Sequence, residues 1–299
     1  MPHPQSIPHL IHLEGGDQCV MMLHGLGANA LELQRLAKEL HALGFSVIVP
    51  RIHGYSFESD LQTWNNWVEQ AQIQLWILQA KYASVSLVGL SMGAVLALVL
   101  AQKEENSLAG LVVLSASLAF DGWSMPWYRI FLKATPSWLP FVSRYELKES
   151  EPFGLKNEEM RSAVRALMKS HHISESGADK LTYEQIKEGQ SLVKEARKNI
   201  KKIDCPCLII HAVDDEVVHV RHADWVFKKI KSPDKEIIYL GDSYHMITID
   251  NERDTVNEET ARFLKKSVNK HIGDEVFEVP SIKSPQIRRM LQRIQSRLL

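Results

Sequence analysis

The sequence predicts an α/β fold: a mostly parallel central sheet flanked by helices, with an inserted helical cap. Three observations predict it. Buried apolar runs at 19–23 and 84–88 each pass through a glycine-containing loop into a helical pattern, at 31–43 and 94–102, the alternation of strand and helix that parallel sheets require. Further apolar runs at 110–115, 208–211 and 237–240 supply more strands of the same kind. Finally, about ninety residues separate the strand at 110–115 from the one beginning at Cys207, far more than normally join a strand to the next helix. The expected division is therefore a core over 1–119, a helical cap over 120–203, the rest of the core over 204–268 and a C-terminal extension over 269–299.

The first strand, Cys19-Val20-Met21-Met22-Leu23, runs straight into His24-Gly25-Leu26-Gly27. That loop can offer a backbone N–H at the carboxyl end of the sheet. The second strand leads into Gly89-Leu90-Ser91-Met92-Gly93, followed by the Ala- and Leu-rich helix 94–102. A serine at the tip of such a strand-to-helix turn is held in strained backbone geometry with its oxygen exposed, and glycines on both sides let strand and helix pass closely. The pattern points to acyl-transfer chemistry with Ser91 as nucleophile. The two amides best placed to face a developing oxyanion are those of Leu26 and of Met92, the residue after the serine.

A serine is a weak nucleophile until a base takes its proton and a carboxylate orients that base. After the strand at 208–211 comes a loop with Asp214-Asp215-Glu216-Val217-Val218, and after 237–240 comes Gly241-Asp242-Ser243-Tyr244-His245. Ligand crevices of open α/β sheets lie at the carboxyl ends of the strands, so Ser91, an aspartate and His245 can converge there despite their separation in sequence. His245 is one of 13 histidines, and its place after the last strand and before the helical stretch 252–266 singles it out. His24 is its main rival.

On these residues the chain resembles the α/β-hydrolases, specifically the small serine carboxylesterases and monoacylglycerol-lipase-like enzymes, over roughly residues 10–268. The resemblance implies Ser91 as nucleophile, Asp215 as acid, His245 as base, Leu26 and Met92 as oxyanion donors, and a structural role for His24 in shaping the oxyanion loop. The acid loop of such enzymes reads His-Gly-x-x-Asp-x-Val-Val, which puts the acid on Asp215 and leaves Asp214 as the fallback. Ala212 stands here where glycine is usual. The dehalogenase and epoxide-hydrolase branches resemble the chain too but place Asp at the position held by Ser91. The implied reaction is two-step ester hydrolysis of a small-molecule ester without a cofactor. Thioester or amide cleavage, acyl transfer, or a ligand-binding scaffold without catalysis remain the alternatives, since a fold does not fix a function.

The first part of the cap, 123–142, is aromatic and broken by prolines, suited to roofing an apolar pocket, and Trp123, Trp127 and Phe131 are its candidate substrate contacts. Its later part, 157–202, is charged and helical, with a solvated basic face. In the extension, Ile287, Met290, Leu291, Ile294 and Leu298 fall at helical spacing opposite Arg288, Arg289, Arg293 and Arg297. Such a basic amphipathic helix suits a peripheral contact with an anionic membrane or a contact with another subunit, the alternative being that it packs on its own domain or frays.

Charge and cysteine usage exclude other classes. With 35 Lys and Arg against 36 Asp and Glu, no global basic field exists to attract nucleic acid. Cys205 and Cys207 flank Pro206, but no second pair completes a tetrahedral set, and His219 and His222 likewise lack partners, so no metal is expected and unpaired thiols in a reducing cytosol are. The start of the chain has neither the basic nor the apolar region of a secretory signal, and no run approaches the ~18 apolar residues of a membrane span, which together predict a cytoplasmic protein.

Overall fold

The computed structural model describes residues 10–56, 60–103, 106–124, 146–148, 151–171, 173–174, 177–178 and 180–274. At its centre is a seven-stranded sheet. In chain order its strands are β1 (Ile11–Leu13), β2 (Gln18–Leu23), β3 (Ser46–Val49), β4 (Ser84–Leu90), β5 (Gly110–Leu114), and, after the insertion, β10 (Cys207–Ala212) and β11 (Lys235–Leu240). Their spatial order is β1-β3-β2-β4-β5-β10-β11. Only β1, at one edge, runs antiparallel, with Ile11 opposite Val49; the remaining neighbours pair in parallel. This is the mostly parallel sheet flanked by helices that the sequence predicts.

The parallel strands carry apolar residues on both faces because helices cover both. Cys19, Met21 and Leu23 of β2 join one core cluster with Leu87, Leu111, Val113 and Ile209. Val20 and Met22 join a second with Val88, Val112, Leu114, Leu208 and Ile210. The first cluster packs under α2 (Trp64–Lys81), α3 (Met92–Ala101) and α6 (Arg221–Lys229), the second under α1 (Gln34–Ala42) and α7 (Arg253–Asp274). Helix α3 is apolar all round and every one of its residues is buried, as a helix enclosed between sheet and helices must be.

Between β5 and β10 the described elements are β6 (Glu146–Lys148), α4 (Glu158–His171), β7 (Ile173–Ser174), β8 (Gly177–Ala178), β9 (Lys180–Thr182) and α5 (Tyr183–Lys198). β6 pairs with β9 and β7 with β8, both antiparallel. Helix α5 begins with a capping box in which Thr182 Oγ1 accepts from the Gln185 amide. It lies on α3, its Leu192 and Ala196 entering the core. The insertion is thus anchored to the helix that follows Ser91. Register brings the ends of β2, β4, β5 and β10 to one edge: Leu23 faces Gly89, Leu90 faces Leu114, and Leu114 faces Ile210.

Candidate active site

Ser91 occupies the junction between β4 and α3 with φ 58 and ψ −118, a conformation that costs a non-glycine residue on the order of 1–3 kcal/mol. Its neighbours explain how the turn closes. A Cβ on Gly89 would lie 2.4 Å from the carbonyl oxygen of Gly93, and one on Gly93 only 2.0 Å from that of Leu23, so only glycine fits at either position. The Ser91 amide donates to Leu114 O at 2.9 Å, tying the turn to β5.

Beside it, the loop after β2 is held by buried polar groups. The Gly25 amide donates to Glu32 Oε2 at 2.8 Å, Tyr55 donates its hydroxyl proton to His24 O at 2.7 Å, and the Gly27 amide donates to Tyr55 O at 2.9 Å. His24 meets Gly25 O at 2.7 Å through Nδ1 and Ser56 Oγ at 3.0 Å through Nε2. Burial pushes its pKa down to about 4, so the ring is neutral. His24 therefore braces the loop, and among the described residues no hydrogen bond joins it to Ser91. Among the described residues the Leu26 amide has no acceptor, and Met92 opens α3, where N–H groups lack intrahelical partners. Helix α5 comes close to both residues: a Cβ on Gly189 would lie 3.3 Å from Leu26 and 3.4 Å from Met92.

Asp215 and His245 arrive from the loops after β10 and β11. Asp215 Oδ1 accepts from the amides of Val217 at 2.9 Å and Val218 at 2.8 Å, while Oδ2 lies 2.8 Å from His245 Nδ1. His245 Nε2 lies 2.9 Å from Ser91 Oγ. The result is one hydrogen-bonded line along which His245, in its neutral form, can donate from Nδ1 to the carboxylate and accept the Ser91 proton at Nε2. Burial works against the charge on Asp215, but His245, His211 and the Val218 amide outweigh it and keep the pKa lowered. Burial likewise disfavours a charged His245, but Asp215, then Glu216 and Glu32, overcome it and raise the imidazole above its ordinary range.

Asp214 points the other way. Its side chain is exposed and paired with Lys156 at 3.4 Å, and its carbonyl accepts from Trp123 Nε1 at 3.0 Å. Trp123 is 62% exposed and stands edge-on to Tyr244, the residue before His245, at 5.5 Å. Trp127 and Phe131 lie outside the described residues. Among the described residues no cluster of His, Cys, Asp and Glu could hold a metal, and the three cysteines are free.

Sequence reasoning passed over several residues at this site. Glu216 is buried and its Oε2 accepts from the His245 amide at 3.1 Å. Asp250, also buried, takes the amides of Tyr244, Lys156 and Asn157, each at 2.8 Å, and so fixes the base loop. Lys156 joins that loop to the acid loop through Asp242 and Asp214. Ser117 Oγ lies 3.0 Å from Ser91 Oγ. No motif marks these positions. Glu216 and Asp250 are distinguished by being buried with backbone amides of the base loop as their donors, which is visible once the chain is folded.

Comparison with known proteins agrees with this architecture. The profile of the family described as serine aminopeptidase, S33, matches residues 16–253. A carboxylesterase of Bacillus subtilis (strain 168) is 24% identical over 266 residues, 87% of this chain and 97% of that protein. A thermostable monoacylglycerol lipase of Bacillus sp. (strain H-257) is 24% identical over 258 residues, covering 85% and 93%. The crystal structure of a monoacylglycerol lipase from Paleococcus ferrophilus superposes with a TM-score of 0.71 at 18% identity, covering 86% of this chain and 98% of that one. The parallel sheet with its strained serine turn and a family match spanning most of the chain lead to one assignment: this protein is an α/β-hydrolase of the serine aminopeptidase S33 family.

Proposed function

We propose that the protein is a serine hydrolase of carboxylic esters with an apolar acyl group, working through a covalent acyl-enzyme on Ser91. The observation that carries the reading is the line from Ser91 Oγ to His245 Nε2 at 2.9 Å and from His245 Nδ1 to Asp215 Oδ2 at 2.8 Å. Ser91 Oγ attacks the ester carbonyl carbon as its proton passes to His245 Nε2. The π electron pair moves onto the carbonyl oxygen, which faces the amides of Leu26 and Met92. Collapse re-forms the carbonyl and expels the alcohol, which takes the proton from His245. Water then repeats the sequence on the acyl-enzyme, releasing the acid and restoring Ser91. Asp215 fixes the tautomer of His245 and stabilises the imidazolium. These side chains handle every proton and electron pair, so the reaction requires no cofactor.

The relatives named carboxylesterase and monoacylglycerol lipase support an ester substrate. The aromatic segment of the 120–203 insertion supports an apolar acyl group, with Trp123, Trp127 and Phe131 as its candidate contacts. Each methylene buried under such a roof contributes about 0.8 kcal/mol. In a panel of acyl esters of graded length, kcat/KM should therefore rise from acetyl to medium chains, and Ser91→Ala should abolish turnover throughout. A steady fall from acetyl upward would remove the apolar roof from the account; near-normal turnover by Ser91→Ala would remove the serine mechanism. For residues 285–299, the four arginines opposite an apolar stripe support a peripheral contact with an anionic membrane surface.

A further inference from the structure

Ser117 approaches the nucleophile twice. Its Oγ lies 3.0 Å from Ser91 Oγ, and its amide donates to Ser91 O at 3.2 Å. The residue is fully buried, and Ser91 Oγ is the one polar partner of its hydroxyl among the described residues. The backbone is bent to make this contact. Ser115, the first residue after β5, has φ 44 and is tied through its amide to Ile210 O at 3.0 Å. Left-handed backbone at a non-glycine residue persists only where its surroundings enforce it, and it gathers at functional sites. Of the three described non-glycine residues with positive φ, two are Ser91 and Ser115, so the strain is concentrated on the two turns that bring these hydroxyls together.

We propose that Ser117 is a further catalytic residue, donating a hydrogen bond to Ser91 Oγ so that the Ser91 proton is directed at His245 Nε2. The inference rests on the serine-esterase reading above. A hydroxyl has one proton and two acceptor lone pairs, and Ser91 Oγ has two neighbours that could take its proton, His245 Nε2 at 2.9 Å and Ser117 Oγ at 3.0 Å. Only a proton pointing at His245 can be transferred to the base. With Ser117 donating, one lone pair of Ser91 is occupied and its proton is left to His245. In the attack the second lone pair forms the bond to the carbonyl carbon while the O–H bond breaks toward Nε2. The Ser117 hydrogen bond stays on Oγ throughout, holding its rotamer and stabilising the negative charge that develops as the proton leaves.

The test is the second-order rate at which a fluorophosphonate labels Ser91, which reports nucleophile activation whichever ester the enzyme prefers. Ser117→Ala should slow labelling roughly tenfold, about 1.4 kcal/mol of activation free energy. Ser117→Thr, which keeps the hydroxyl, should label near the wild-type rate. So should Ser86→Ala, which removes another fully buried hydroxyl, on β4 away from the site. Ser117→Cys is nearly isosteric but a weaker donor; it should fall between Ser117→Ala and wild type, and it keeps the comparison available if another variant fails to fold. Wild-type labelling by Ser117→Ala, or equal slowing in the Ala, Thr and Cys variants, would overturn the proposal. A wild-type protein that is not labelled at all would overturn the esterase reading and this inference with it.

Discussion

Asp214 and Asp215 are adjacent in the chain and opposite in environment. Asp215 is buried against His245, whereas Asp214 reaches out to Lys156 in an exposed pair. Only a carboxylate bonded to the base can fix its tautomer, so Asp215→Asn should lower kcat/KM by about 10⁴-fold. Asp214→Asn should leave it within about fivefold, because an exposed ion pair contributes at most ~1 kcal/mol. The reverse ranking would move the acid to Asp214. The pH profile carries the same logic. Hydrolysis needs neutral His245, whose pKa is raised chiefly by Asp215 against the effect of burial, so kcat/KM should climb with pH and level off only above the ordinary imidazole value of ~6.5. Removing the Asp215 charge should move the residual limb to lower pH; a limb that stays put would contradict the assignment. For stability the sign is opposite. A raised folded-state pKa means that protonated His245 stabilises the fold fully below ~6.5, a contribution lost as pH rises through the folded value.

The turn between β4 and α3 depends on its glycines more than on its serine for its shape. Gly93→Ala would drive a Cβ to 2.0 Å from Leu23 O, against backbone that the neighbouring strand holds in place. It should destabilise the fold by about 3 kcal/mol or more, read as a lower urea midpoint at unchanged slope; an unchanged midpoint would show that the turn relaxes. This element was legible because steric need dictates its residue types. Others were not. Helix α2 buries Gln72 and Gln79 alongside Trp67, Val68, Ala71, Leu75 and Leu78, which blurs the apolar stripe on which periodicity relies. The expected charged helical stretch 157–202 contains α4 and α5 but also the short strands β7, β8 and β9 between them, whose pairing two or three residues cannot announce. No local pattern marks Glu32, Glu216 or Asp250, yet all are buried where backbone amides supply their donors. Those donors come from loops distant in sequence or from turns that only the fold creates.

Across the whole molecule the legible features follow from chain order. Parallel pairing places the carboxyl ends of the six parallel strands on one edge, so loops that follow them meet there whatever their separation; Ser91 and His245 are 154 residues apart and in hydrogen-bond contact. No helix among the described residues is long and apolar enough to cross a membrane; the membrane contact proposed above is a peripheral one. If residues 285–299 supply it, truncation after Pro280 should leave turnover of a soluble short ester unchanged and reduce sedimentation with anionic vesicles. Each basic residue at such a surface contributes on the order of 1 kcal/mol, and added salt should release the full-length protein. Loss of soluble-ester activity on truncation would instead make the segment part of the fold or of a subunit contact.

The central claim, that Ser91 is the activated nucleophile, is tested most directly by mapping the adduct of a fluorophosphonate by peptide mass. The account predicts one adduct per chain on the peptide containing Ser91, formed slowly or not at all in His245→Ala and absent in Ser91→Ala. Ester turnover that persists with Ser91 unlabelled, or an adduct on another residue of the wild-type protein, would contradict it.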